Sequence, residues 1–206
     1  MNEPIDFVVA WVDGEDPKLK SKRESYLTDK KEASRDDVGG DTRYRSIGEI
    51  FYCIASINIF APFARKIFIL TDNQDPGVEP FIAKMFPNGY VPMEIVDHKD
   101  IFKGYEKYLP TFNSRSLEAM LWRIPGLSEK FILMNDDFII TAPVVEEDFF
   151  VGEKTVCYAE WYSTLIAKLL RRIKPKKQGY KKGGEDTIKC ISFAPASRKS
   201  FTTLPL

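Results

Sequence analysis

Four short apolar runs in this chain each stop on a carboxylate: residues 5–12 at Asp13, 66–71 at Asp72, 93–96 at Asp97, and 131–135 at Asp136-Asp137. The segments IDFVVAWV, KIFIL and KFILM are rich in Val, Ile and Phe and are bounded by Gly, Pro or Asp. Runs that are apolar on both faces and too short for helices predict buried strands, as found in parallel sheets. With helical patterns between them, the runs predict an α/β fold: a mostly parallel sheet flanked by helices. Ligands on such sheets bind outside the carboxyl ends of the strands. A row of acids at that edge points to a cation, or to a phosphate-bearing substrate held through one.

The chain has 206 residues, 44% of them apolar and 13% aromatic, enough for one α/β domain with a substantial core. The opening MNEPIDF carries an acid and no basic cluster, so no secretory signal is expected. No stretch approaches the roughly 18 apolar residues of a membrane span. Cys53, Cys157 and Cys190 are scattered and odd in number. They read as reduced thiols in a cytoplasmic protein. The net charge of zero conceals a division: residues 1–166 hold 19 Lys and Arg against 28 Asp and Glu, residues 167–206 hold 11 against 2. The expected organisation is a body at 1–153 and a basic, weakly ordered segment at 154–206. An acidic body excludes nucleic acid as a natural partner, because phosphate contacts need clustered Lys and Arg. The basic run between Lys168 and Lys182 is a solvated tail, or a peripheral contact for anionic lipid at the inner membrane face.

Gly14-Glu15-Asp16-Pro17 is turn chemistry, with Gly14 free to take positive φ. Residues 18–41 read as an exposed helix and a loop ending at Gly39-Gly40. Ile47, Ile50, Phe51, Ile54 and Ile57 have the spacing of an amphipathic helix that stops before Ala61-Pro62. A short helix is expected around 79–86, an aromatic-rich loop at 99–113, and a helix at 114–123 capped by Asn113 or Ser114. Leu117, Leu121 and Ile124 would face inward.

Several groups carry candidate chemistry. In Asn135-Asp136-Asp137, one carboxylate can sit on a divalent cation and the other on a substrate hydroxyl. Alternatively, the pair terminates the strand and caps the next amides. Trp11-Val12-Asp13-Gly14 brings an acid to a strand tip with room for close approach, or is an ordinary turn with a core Trp. His98, the sole histidine, reads as a hydrogen-bonded loop residue or a general base. Arg43, Arg45 and Arg115 are able to grip phosphate bidentately, and are equally at home on a surface. Neither GxGxxG, GxxxxGK[ST] nor GxSxG occurs, which disfavours dinucleotide binding, P-loop hydrolysis and the α/β-hydrolase elbow.

IDFVVAWVDGEDP resembles the first conserved region of Stealth-type sugar-phosphate transferases. RYRSIGEIFYCIASINIFAPFARKIFILTDNQDP, EIVDHKDIF, LPTFNSRSLEAMLWRIPGLSEKFILMNDDFII and EEDFF resemble, in order, that family's second region. Bacterial relatives move a hexose-1-phosphate from a nucleotide-sugar to a sugar hydroxyl in capsular or exopolysaccharide. The Golgi N-acetylglucosamine-1-phosphotransferase is another relative. The resemblance implies a nucleotide-sugar-transferase-like fold, a UDP-linked donor, an oligo- or polysaccharide acceptor, and Mg²⁺ or Mn²⁺. It implies Asp136 and Asp137 as base and metal ligands, and Trp11, Asp13 and Gly14 beside the nucleotide. Arg43, Arg45, Asn113 and Arg115 would contact phosphate or sugar, while Asp72 and Asp97 would shape loops.

Family members usually continue into a third region with a histidine and a short fourth one. This sequence has no His after His98, and KCISFAPASRKSFTTLPL matches neither. The expectation is a truncated, frame-shifted or fragmentary chain. Two other readings stand beside phosphotransfer: a metal-dependent glycosyltransferase using the same acids, and a non-catalytic remnant or partner-binding domain.

Overall fold

The computed structural model describes residues 3–26 and 46–158. Its centre is a four-stranded parallel sheet of β1 (Ile5–Ala10), β2 (Ala64–Thr71), β3 (Met93–Asp97) and β4 (Lys130–Asn135) in the order β3-β2-β1-β4. β1 is interior. It pairs in register with β2 (Val8 opposite Phe68) and with β4 (Val8 opposite Leu133). Its burial from Ile5 to Val9 explains why the run is apolar, Asp6 excepted, instead of alternating. The α/β expectation holds: a parallel sheet flanked by helices.

The pleat sends successive side chains to opposite faces, and two cores result. One gathers Phe7, Val9, Ile67, Ile69, Ile132 and Met134 under α2 (Glu49–Phe60) and α3 (Val78–Met85). The other gathers Val8, Phe68, Leu70, Phe131 and Leu133 under α4 (His98–Ile101) and a 3-10 turn at Leu121–Arg123. Each fully buried Phe or Ile contributes about 1.5–3 kcal/mol of transfer free energy. α1 (Pro17–Tyr26) turns only Leu19 and Arg23 inward.

Several expectations are corrected. The amphipathic helix begins at Glu49, so Ile47 falls outside it and is 75% exposed. The cause is Gly48, whose φ of 93° is left-handed and breaks the helical path. Gly14 does not use positive φ; its turn is closed by Asp16 N–H donating to Asp13 O and by Glu15 N–H donating to Asp13 Oδ1. The aromatic-rich loop contains α4 and a 3-10 turn at Glu106–Tyr108. Asp97 starts α4 through a capping box with Asp100. The helix expected at 114–123 is α5 (Ser114–Glu118), capped by Asn113, followed by the separate 3-10 turn. Leu121 and Ile124 are nonetheless buried. A hairpin of β5 (Phe150–Val151) and β6 (Lys154–Thr155) had no signal in the sequence reading, and spans the 153/154 boundary. The helix-then-loop expectation beyond residue 26, Arg43, Arg45 and the basic segment from 159 lie outside the described residues. Among the described residues no helix is long and apolar enough to cross a membrane.

Candidate active site

In the order β3-β2-β1-β4, chain progression runs one way from β1 to β3 and then returns to the other side of β1. The crevice at the carboxyl ends of β1 and β4 is therefore the switch point, where open α/β sheets bind ligands. Ala10 of β1 lies opposite both Leu70 of β2 and Asn135 of β4, so three strand ends meet there. A cleft of about 530 Å³ opens at this place. Its walls are Trp11 and Val12 after β1, Asp72 after β2, His98 after β3, and Asn135, Asp136 and Asp137 after β4. Glu49 of α2 and the stretch holding Thr111, Phe112, Ser114, Leu117 and Glu118 complete it.

The charge of the cleft is one-sided. Glu49, Asp72, Glu118, Asp136 and Asp137 line it, and no Lys or Arg does among the described residues. Among the described residues, Asp72 alone of these acids has its charge met, by Lys22 Nζ at 2.7 and 2.6 Å from its two oxygens. Asp136 has no such cation among the described residues. Burial, then the charge of Asp137, and then that of Glu49 push its carboxyl up to about 6. The same two aspartates, after burial, hold the Cys53 thiol up at about 12. Cys53 Sγ donates to Asn135 O at 3.7 Å and ties α2 to the end of β4. Burial pushes His98 below the usual histidine range, against the pull of Asp72 and Asp97. It is a neutral imidazole at the cleft wall at pH 7.

Among the sequence-derived candidates, Trp11, His98, Asp136 and Asp137 share the cleft. Trp11 is also a core residue whose indole N–H donates to Ser46 Oγ at 3.3 Å. Asp13, Gly14, Asn113 and Arg115 do not line it. Asp13 uses its carboxylate to hold its own turn. Its backbone is gripped by Gln74, which accepts from Asp13 N–H at 2.9 Å and donates to Asp13 O at 3.0 Å. Asn113 Oδ1 accepts from Arg115 N–H at 3.0 Å as a helix cap. The sequence reading missed Glu49, Lys22, Gln74 and Glu118. Glu49, next to Gly48 at the start of a helix, had a local signal; Lys22 and Gln74 act across 50 and 61 residues and had none.

A fit to a divalent cation rests on this donor set. Asp136 and Asp137, with Glu49 on the same cleft wall, offer hard carboxylate oxygens, a donor type that suits Mg²⁺ or Mn²⁺. No group of three or more His, Cys, Asp or Glu converges as a ready-made metal cage among the described residues.

Comparison with known proteins places the chain in a family. The profile of Stealth protein CR2, conserved region 2, matches residues 43–158, and that of Stealth protein CR1, conserved region 1, matches residues 3–31. An exopolysaccharide phosphotransferase of Streptomyces coelicolor is 37% identical over 75% of this chain and 27% of its own length. A receptor polysaccharide phosphotransferase of Streptococcus oralis is 36% identical over 79% of this chain and 46% of its own. A capsular polysaccharide phosphotransferase of Haemophilus influenzae is 38% identical over 71% and 38%. The chain thus spans less than half the length of these relatives.

Proposed function

The chain belongs to the Stealth protein family, and from that premise we propose that it transfers a hexose-1-phosphate from a nucleotide-sugar, UDP-linked, to a hydroxyl of a polysaccharide acceptor. One observation carries the reading: a switch-point cleft walled by carboxylates, with one of them, Asp136, raised to about 6. A pyrophosphate enters such a cleft only with positive charge beside it, and Asp137 would hold Mg²⁺ or Mn²⁺ there, leaving Asp136 for the acceptor hydroxyl. When bound, that cation neutralises phosphate oxygens and stabilises the charge that develops during transfer.

The residues of this chain then divide the work. The Asp136 carboxylate takes the proton of the acceptor hydroxyl as its oxygen bonds to the β-phosphorus. The bond from that phosphorus to the bridging oxygen breaks, and the nucleoside monophosphate leaves. A base whose pKa lies near 6 is mostly ionised at pH 7 and still basic enough to accept a proton. Trp11 closes the wall beside the donor, with Asp13 and Gly14 in the adjoining turn. Arg43, Arg45 and Arg115, with Asn113, are proposed for the phosphates and sugar. The reaction is placed at the cytoplasmic face, with contact to the membrane by the basic C-terminal segment.

Tracing phosphorus tests the reading. Incubation with acceptor polysaccharide, Mg²⁺ and UDP-hexose labelled at the β-phosphate should place the label in the polymer and release UMP. Label left on UDP, with hexose in the polymer, would establish a glycosyltransferase instead. No Mg²⁺-dependent binding of UDP-hexose by calorimetry would establish a non-catalytic domain.

A further inference from the structure

Beside the cleft, two 3-10 turns lift three aromatic rings into solvent. Tyr105 is 47% exposed, Tyr108 58% and Trp122 50%. These rings are held in place. The Arg123 guanidinium lies 5.0 Å from the Tyr105 centroid and 5.6 Å from that of Trp122, so it bridges the two. Arg123 Nη2 donates to Lys103 O, and the Trp122 indole N–H donates to Ala119 O at 3.1 Å. Lys107 Nζ stands 4.9 Å from the Tyr108 centroid. These half-exposed rings, each flanked by a cation, belong to neither core.

The position and charge of this patch name its ligand. Tyr108 is at most about 11 Å of extended chain from Thr111, which lines the cleft. Trp122 follows Leu117 and Glu118, which line it too. Residues 99–123 carry five Lys and Arg (Lys99, Lys103, Lys107, Arg115, Arg123) against three acids, in a body that is otherwise acidic. Asp100 accepts from Asp97 N–H and Glu106 from Gly104 N–H, with Arg123 and Lys103 near the Glu106 carboxylate, which leaves a modest positive excess over this stretch. Flat rings match the C–H faces of pyranose sugars, and the interleaved cations match phosphodiesters.

Resting on the transfer reaction proposed above, we propose that Tyr105, Tyr108 and Trp122, with Lys107 and Arg123, form a platform for the non-reacting length of an anionic, phosphodiester-bearing glycan. The platform lies outside the acid-lined cleft and holds the chain whose end enters it. It selects an acceptor already carrying sugar phosphates over a neutral one.

Calorimetry on the full chain tests this with two probes, a phosphodiester-linked hexose oligomer and a phosphate-free hexose oligomer of equal length. The phosphorylated oligomer should bind more tightly. The double variant Tyr105→Ala, Trp122→Ala should weaken it roughly tenfold, while Tyr105→Phe keeps the ring and the affinity. Arg123→Gln should erase the preference for the phosphorylated probe, as should raised salt. UDP-hexose binding should be the same in all variants. Wild-type affinity in the double variant at an unchanged melting temperature would overturn the platform, and equal binding of both probes would overturn its anionic ligand. Failure of the donor reading shows separately, in the UDP-hexose titration and the phosphorus tracing.

Discussion

Asp6, within β1, and Asp136, just past the end of β4, are carboxylates at opposite ends of one sheet, and those ends treat them in opposite ways. Asp6, fully buried near the start of β1, accepts from Arg65 Nε at 2.7 Å and Nη2 at 2.5 Å, and from Ser128 N–H at 2.7 Å. That hydrogen-bonded pairing holds the Arg65 guanidinium above its ordinary range. Asp136, at the other edge, feels the charges of Asp137 and Glu49 and meets no cation among the described residues. One end spends its acid on closing the fold, and the other keeps like charges together at a net cost in stability. Charge frustration of this kind collects where a ligand is to supply the missing partner.

The largest test of the contrast is Asp136→Asn, which should lower sugar-phosphate transfer by about 10²–10⁴-fold in initial rates, as expected for loss of a general base. Retained activity in that variant would end the catalytic reading of the acidic edge. Next comes Arg65→Met, which leaves Asp6 buried without its ion-pair partner. It should lower unfolding free energy in urea by about 3–5 kcal/mol while sparing the activity of the folded fraction.

The sign should reverse at the other edge. Burial and like charges raise the folded pKa of Asp136 to about 6 from an ordinary value of 3.8. The folded state therefore holds the extra proton between these values, and wild-type stability should fall as pH rises from about 4 to about 6. Over the same window activity should climb, because the base must lose that proton. Asp136→Asn should remove the fall and stabilise the protein at pH 7 by about 1–2 kcal/mol, a figure reduced for its partial solvent exposure. A wild-type stability that rises through pH 5 would break the comparison.

Smaller effects sharpen it. The Cys53 thiol, pushed up to about 12, should resist alkylation at pH 8 until the protein unfolds, while exposed Cys157 reacts at once. Mass spectrometry of the labelled chain reads both. Least of all, Glu94→Gln should change stability by about 0–1 kcal/mol, because the Lys66–Glu94 pair is solvent-screened.

How much of this was legible in the sequence follows from the range of the forces involved. The parallel sheet was legible because burial on both faces leaves unbroken apolar runs, and Asp136-Asp137 because the run stops there. Asp6 was hidden inside such a run, since its acceptability depends on Arg65, 59 residues away. Lys22 and Gln74 were hidden for the same reason. Asn113 was read both as a cap and as a substrate contact, and its hydrogen bond to Arg115 N–H fits the cap. The helix expected at 114–123 failed locally instead. Pro125 disfavours helical geometry at Ile124, and the last turn tightens into 3-10 form.

The central position of β1 also sets an order of events. The first strand to be synthesised bonds on one flank to β2 and on the other to β4, and its Asp6 closes on Ser128 across 122 residues. Contacts of such long separation form late, after the entropy of closing the loop has been overcome. A nascent chain released before β4 emerges has its first strand half-paired and only one side of the cleft. The acidic crevice is thus complete only once β4 has emerged, and metal-dependent donor binding during translation would time the moment at which β4 docks.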